Sequence, residues 1–289
     1  MRYLTKEWCN LCQLTGLHFG LRAHKDVRVL NESVYQRLRK RKEKAFLKQE
    51  KEIYDFNPRE LFDADGEVLV RADKFISGEE ILEGDTIVNE MPEEQKEHIR
   101  KLIESYDSRG PFDIQKNSIE FENRQKMFLE DNEKKIPKDI YSQVADPRVF
   151  ALGYSTKEMI NQLKKISKEN EKKVQSVLKD FKLAQEKENI PENIRERFGF
   201  HDCKVKSIIK KKDVTILLDT SGGFTEDNKI IFHDAKIIKE DTAVNGCWWI
   251  YEELYNTHNG YEAHMMFVDE TNSYIELTIA SKSIIVEKV

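Results

Sequence analysis

An α+β protein is predicted: a charged, mainly α-helical region over residues 1–199, followed by an antiparallel β sandwich or roll over residues 200–289. Three observations carry the prediction. Apolar residues recur every three or four positions before Gly199 and every second position after it. Charged residues make up 35% of the chain beside 10% aromatics, which suits long helices with one wet face, since the aromatics supply burial that a disordered chain lacks. No proline follows Pro191, as expected of a domain made almost wholly of sheet.

The helices can be placed in order. Thr5 is a candidate N-cap for a helix to about Gly20, with Leu4, Trp8, Leu11, Thr15 and Phe19 as its apolar stripe. Asn31 or Ser33 opens a second helix to about Tyr54, which Asn57-Pro58 closes because the residue before proline disfavours helical backbone. Glu67 to Ile76 reads as a short strand or packed segment, punctuated by Gly66, Gly78 and Gly84. Pro92 suits a first helical position, and that helix runs to about Tyr106 before Arg109-Gly110-Pro111 breaks it. Ile114, Ser118, Phe121, Gln125, Phe128 and Asn132 mark the next seam. A last long helix begins at Ser155-Thr156, with Ile160, Leu163, Val174, Val177, Phe181 and Ala184 on its stripe and Ser167 and Asn170 interrupting it. These two helices are expected to pair as an antiparallel hairpin, because neither stripe is sustained enough for a coiled-coil dimer.

Seven runs read as strands after Gly199: KVKSIIKK, VTILLDT, KIIFHDAKII, WWIYEELY, YEAHMMFV, SYIELTIA and SIIVEK. Turn residues separate them, and Asn259-Gly260 is predicted as a type I′ hairpin turn because both residues tolerate positive φ.

Charge and cysteine usage exclude several functions. The net charge of −5 resides after Phe200, where 10 Lys/Arg face 15 Asp/Glu, so the β domain is a poor phosphate-backbone binder. Nucleic acid is therefore not expected as a partner. The basic run Arg37, Arg39, Lys40, Arg41, Lys42 and Lys44 is interspersed with acidic residues and reads as a solvated helix face. Lys6 and Glu7 stand where a signal peptide needs an apolar run, and no stretch approaches the length of a membrane span, so a cytoplasmic protein with reduced thiols is expected.

The opening M-R-Y-L-T-K-E-W and the later G-C-W-W-I-Y-E-E-L-Y, followed by Gly260-Tyr261-Glu262-Ala263-His264, resemble a family of uncharacterised bacterial proteins, mainly from Bacillus-like bacteria, described as a domain of unknown function. The resemblance implies a bacterial, cytoplasmic origin and brings no activity, cofactor or catalytic residue.

Two residue groups are candidates for function. Trp248, Trp249, Tyr251, Glu253 and Tyr255 make one strand aromatic and acidic; by alternation Trp249, Tyr251, Glu253 and Tyr255 share a face, opposite Trp248, Ile250 and Glu252. Aromatic surface beside carboxylates is what a protein-binding patch needs, unless the N-terminal helices cover it. The leading expectation is thus a non-enzymatic protein-binding module without a cofactor. The alternative is a metal-dependent hydrolase. Phe200-His201-Asp202 returns as Phe232-His233-Asp234, and His201, His233, Glu262 and His264 would form its metal site if the strand order brought them together. The structural reading of the echo is that His-Asp pairs mark strand starts. Cys9 and Cys12, with His18 and His24, lack zinc-finger spacing and read as buried thiols on a helix. Ser221-Gly222-Gly223 lacks the phosphate-loop pattern and reads as a hairpin turn.

Overall fold

The structure, a computed structural model, describes residues 1–70 and 86–289. The chain divides into two compact units, Met1–Gly20 with Glu158–Val289 and, between them, Leu21–Lys157. The α+β class is as expected, with helices before residue 200 and an eight-stranded antiparallel sheet after it. The compact units nonetheless do not part at residue 200. The first twenty residues and the last long helix pack with the sheet, so tertiary packing cuts the chain differently from its secondary structure.

In the first unit, helix α1 spans Lys6–Cys12, and the Thr5 side chain accepts the Trp8 N–H at 3.3 Å, as the N-cap expectation required. The helix stops at Cys12 rather than near Gly20; turns continue to Gly20, where φ is +77°. The long helix α7 spans Lys157–Lys187. Its two polar interruptions are used. Ser167 Oγ accepts the Leu17 N–H at 3.1 Å, and the Asn170 side-chain amide donates to the Leu14 carbonyl at 3.1 Å, so they fasten the non-helical segment 14–17 to the helix.

The strands of this unit are β5 Lys204–Lys210, β6 Val214–Asp219, β7 Lys229–His233, β8 Lys236–Glu240, β9 Trp248–Thr257, β10 Gly260–Val268, β11 Tyr274–Ser281 and β12 Ser283–Glu287. Their order is β12-β7-β6-β5-β9-β10-β11-β8. The run β7–β8 pairs with the run β11–β12 along both halves, while β7 also pairs with β6 and β11 with β10. The sheet is thereby closed on itself as a roll. Inside lies one apolar core that includes Phe200, Ile216, Ile230, Phe232, Trp249, Met265, Phe267 and Leu277.

The Phe-His-Asp echo is a repeated folding device. Both phenylalanines are fully buried in this core, and both aspartates adopt left-handed backbone, with φ of 66° at Asp202 and 50° at Asp234. Aspartate tolerates that region better than most residues. Each is followed two residues later by a strand start, Lys204 or Lys236. The hairpin between β9 and β10 forms, but its two loop residues are His258 and Asn259, with Gly260 paired to Thr257. Asn259 does not take the positive φ a type I′ turn requires; Gly260 does, at +129°. A Cβ there would sit 2.2 Å from the Ser281 carbonyl oxygen, so close backbone approach selects the glycine.

In the second unit, helix α2 spans Glu32–Asp55, capped by Asn31, whose side chain accepts the Val34 N–H. Helices α3 (Glu93–Ser108), α4 (Ile114–Lys135), α5 (Lys138–Tyr141) and α6 (Pro147–Ala151) follow. Strand β2 (Val68–Val70) pairs with β3 (Thr86–Val88), and β1 (Arg22–Ala23) pairs in parallel with β4 (Tyr154–Ser155). The expected segment beyond Val70, with Gly78 and Gly84, lies outside the described residues. Val34, Leu38, Phe121, Val149, Leu152 and Tyr154 form the core, to which α2, α4 and α6 contribute. The helical hairpin expected of α4 and α7 divides its helices between the two units. No helix among the described residues is long and apolar enough to cross a membrane.

Candidate functional site

Strand β9 supplies most of the candidate residues, and a β-bulge decides where they point. Tyr251 lies opposite Met266 and Trp249 opposite Phe267, so Ile250 is an extra residue with no partner on β10. Simple alternation would put Trp249 on the face of Tyr251, Glu253 and Tyr255; the bulge turns it inward instead. Trp249 is 0% exposed and packs against Phe200 and Phe267, each with ring centroids 5.0 Å away. Its indole N–H donates to Glu252 Oε2 at 2.7 Å. Glu252, half-buried as a residue, has its carboxyl at that indole, and burial pushes it up to about 7 against the opposing effect of the Trp249 hydrogen bond. Trp248 is half-buried, with Lys204 Nζ 4.4 Å from its ring centre. The shared aromatic face is thus corrected in one member, Trp249.

Tyr251, Glu253 and Tyr255 stay on the outer face of the roll, and there they are covered. Glu253, 1% exposed, receives the start of the chain. Its Oε1 accepts the N–H groups of Tyr3 at 2.9 Å and Leu4 at 2.6 Å, and its Oε2 accepts the Arg2 N–H at 2.6 Å and the Tyr255 hydroxyl at 2.8 Å. Four donors saturate the lone pairs of one carboxylate, which is how a buried charge is made tolerable. The Tyr255 hydroxyl is driven far upward by burial and by the Glu253 charge beside it, so it remains a donor.

The side chains of the segment are held as well. The Arg2 guanidinium lies 3.6 Å over the Tyr255 ring and 3.4 Å from Glu262 Oε1. The Met1 amino group is 3.3 Å from Glu276, which also takes Lys239 Nζ at 2.7 Å; these partners hold Glu276 below its ordinary range although burial opposes them. Lys6 reaches Asp241 at 2.6 Å. Leu4, Trp8 and Cys9 are buried with Val174 and Met266, and Trp8 meets Tyr251 edge-on at 5.2 Å. Burial pushes the Cys9 thiol up to about 12, which makes it an inert apolar group; Cys12 is raised for the same reason.

The proposed metal ligands do not converge. His201 pairs with its neighbour Asp202 at 3.1 Å ahead of β5, and His233, the last residue of β7, pairs with Asp213 just ahead of β6 at 3.1 Å. The His264 Nε2–H donates to Glu262 Oε1 at 2.6 Å, the two residues being neighbours on one strand face. Burial holds the His264 imidazole low, against the raising effect of Glu262. Among the described residues no group of three or more His, Cys, Asp or Glu side chains is placed to hold a metal ion. The four-residue site is corrected on this ground, because the strand order required to unite His201, His233 and the Glu262–His264 pair does not occur; Cys9 and Cys12 lie on helix α1 as thiols, as their spacing suggested.

Sequence reasoning missed Glu276, Asp241 and the role of residues 1–4. Glu276 and Glu253 are charges inside otherwise apolar strands, the kind of exception that needs a partner when buried. That signal was present; the identity of the partner was not.

The family model that matches this chain describes a protein of unknown function (DUF4085) and covers residues 91–281. The chain belongs to this family. The matched stretch includes the W-W-I-Y-E-E strand and the Glu262–His264 pair, whereas the M-R-Y-L opening lies outside it. No curated protein matches the chain, and no solved structure does.

Proposed function

We propose that this DUF4085 chain is a non-enzymatic protein-binding module of the bacterial cytoplasm, and that its recognition surface is the outer face of β9–β11. Residues 1–4 act as an intramolecular occupant of that surface. The observation behind this reading is the Glu253 carboxylate, which takes three successive main-chain N–H groups. A carboxylate used in this way recognises an extended backbone whatever its side chains. Selectivity then comes from the neighbours: Tyr255 and Glu262 read a cation at the position of Arg2, and the apolar surface around Met266 reads an aliphatic group at Leu4. A partner segment of the same chemistry, cationic then aromatic then aliphatic, would compete with the chain's own start.

The hydrolase alternative loses its support with the dispersal of His201, His233 and the Glu262–His264 pair. Binding is tested with a fluorescent peptide of residues 1–12 added in trans. A Leu4→Glu variant of the full chain, with its own segment expelled, is expected to bind the peptide saturably. The intact chain should bind it far more weakly, because the tethered segment has an effective concentration near millimolar. Adding Glu253→Ala to the Leu4→Glu variant should abolish capture. A folded Leu4→Glu chain that ignores the peptide ends the proposal.

A further inference from the structure

The helical unit holds a cavity of about 720 Å³ between α2, α4 and the β1–β4 pair. That is within the range of small-molecule sites, roughly 300–1,000 Å³. Its lining combines two chemistries. Arg22, Arg41, Lys42 and Arg124 bring four cationic side chains, and among the described residues no Asp or Glu contributes to the wall. Phe46 and Tyr154 lead a set of aromatic rings that form the floor.

The cations are not equally engaged. Arg124 is paired with Glu120 at 3.0 Å and Glu50 at 3.4 Å. Among the described residues, Arg22, Arg41 and Lys42 have no carboxylate within ion-pair distance. Arg37, one turn before Arg41 on the same helix, and Arg39 pair instead with Asp26, Glu43 and Glu122. Within the basic run of α2, Arg37 and Arg39 are thus neutralised by carboxylates, whereas Arg41 and Lys42 line the cavity.

What these two engage instead is aromatic. The Arg41 guanidinium donates to the Tyr154 hydroxyl, and Lys42 Nζ stands 5.1 Å from the centre of the Tyr154 ring. Arg124 stands 4.9 Å from the centre of Phe46. Tyr154 is buried and fixed by the β1–β4 pairing of Arg22 with Tyr154 itself. Arg22 and Arg41 are exposed and Lys42 is half-buried, so these charges stand at the open rim of an apolar floor. Guanidinium and ammonium groups without carboxylates suit phosphate oxygens, and ring faces suit a planar ring.

We propose that this cavity binds a small phosphate-bearing ligand with a flat aromatic ring, of nucleotide size. The phosphate is held by Arg22, Arg41 and Lys42, and the ring lies on the side of Phe46. A long nucleic acid is disfavoured: the cations converge on one concave site of single-nucleotide size, and residues 1–199 carry no net charge to form a stripe beyond it. The proposal is independent of the outer face of the roll, since it uses other residues in the other unit.

The test is calorimetric titration of the full chain with adenosine 5′-diphosphate, pyrophosphate and adenosine as separate probes at low salt. The diphosphate nucleoside is expected to bind at least tenfold more tightly than either half alone, and more weakly as salt rises. Arg22→Gln and Lys42→Gln should each weaken it about tenfold or more, the loss expected for one charge-assisted contact. These two positions are chosen because Arg41 also holds Tyr154, so Arg41→Gln risks disturbing the fold. Phe46→Leu should weaken the nucleotide while leaving pyrophosphate unchanged. Absence of nucleotide binding at millimolar concentration overturns the proposal, as does binding that neither Arg22→Gln nor Lys42→Gln alters. Pyrophosphate binding as tightly as the nucleotide overturns the ring-binding half. A single-stranded oligonucleotide that outcompetes the nucleotide by more than tenfold would replace the small ligand with nucleic acid.

Discussion

Glu253→Gln is the sharpest perturbation of the outer-face site, because it keeps the shape and removes the charge. The native carboxylate satisfies four donors, three from the backbone and one from Tyr255. A glutamine carbonyl in the place of Oε1 can still accept from Tyr3 and Leu4, but each bond loses its charge assistance, about 1 kcal/mol apiece. The new NH₂ stands where Oε2 was and opposes the Arg2 N–H. The Tyr255 hydroxyl can turn and accept from it, whereas the Arg2 N–H cannot, so one buried donor is orphaned at about 1–3 kcal/mol. Removing a buried charge recovers part of its desolvation cost. The net expectation is a loss of about 2–3 kcal/mol, bounded above by the free energy with which residues 1–8 dock, because the segment can detach instead of unfolding the roll. For a unit of roughly 150 residues this lowers Tm by about 5–10 °C. Urea unfolding measures the loss, and amide exchange at residues 2–4 locates it: those amides should exchange at least tenfold faster. A loss below about 0.5 kcal/mol with unchanged exchange would refute the claim that this carboxylate anchors the segment.

Other expectations follow from the same geometry. The native Glu252 carboxyl, pushed up to about 7, keeps a proton that the unfolded chain releases near 4.5. The native state therefore binds more protons in that window, and stability should fall as pH rises from about 4.5 to 7, by up to about 3 kcal/mol. Glu252→Gln should remove this fall and be the more stable chain at pH 8, as paired urea titrations across pH would show. Trp249→Ala leaves a large hole among Phe200 and Phe267 and should cost about 3–5 kcal/mol in chemical denaturation; a small cost would mean that the indole is not in the core. Gly260→Ala meets the Ser281 carbonyl and should cost about 2 kcal/mol or more, with exchange raised along the β10–β11 ladder and not elsewhere. In thiol labelling of the native chain at pH 8, Cys9 should lag Cys12 by at least tenfold, since Cys9 is the more deeply buried; equal rates would contradict the packing of α1.

Much of this protein was determined by local sequence. Thr5 and Asn31 cap their helices because a side-chain oxygen satisfies an orphan N–H within the same turn. The seven strand runs formed, with KIIFHDAKII bent into β7 and β8 at Asp234; burial alternates within β6, β7 and β12, whereas consecutive positions are buried in β10 and β11. The Phe-His-Asp echo was visible as a repeat, and its structural meaning follows from one buried ring and one left-handed aspartate in each copy. What tertiary structure decided was everything that needed a distant partner. The bulge at Ile250 depends on the register of β9 against β10, so no pattern within WWIYEELY could show that Trp249 turns inward. Ser167 and Asn170 looked like breaks in a stripe until Leu17 and Leu14 arrived to use them. Glu253 read as part of an open binding face, and Glu276 gave no signal of its role, because their partners stand about 250 and 275 residues earlier in the chain. That Arg39 meets Glu122 of α4 while Arg41 meets Tyr154 was set by where α4 and Tyr154 came to lie. Local sequence chooses backbone conformation because those interactions close within a few residues; the pairing of a buried charge is chosen only when folding brings its partner to it.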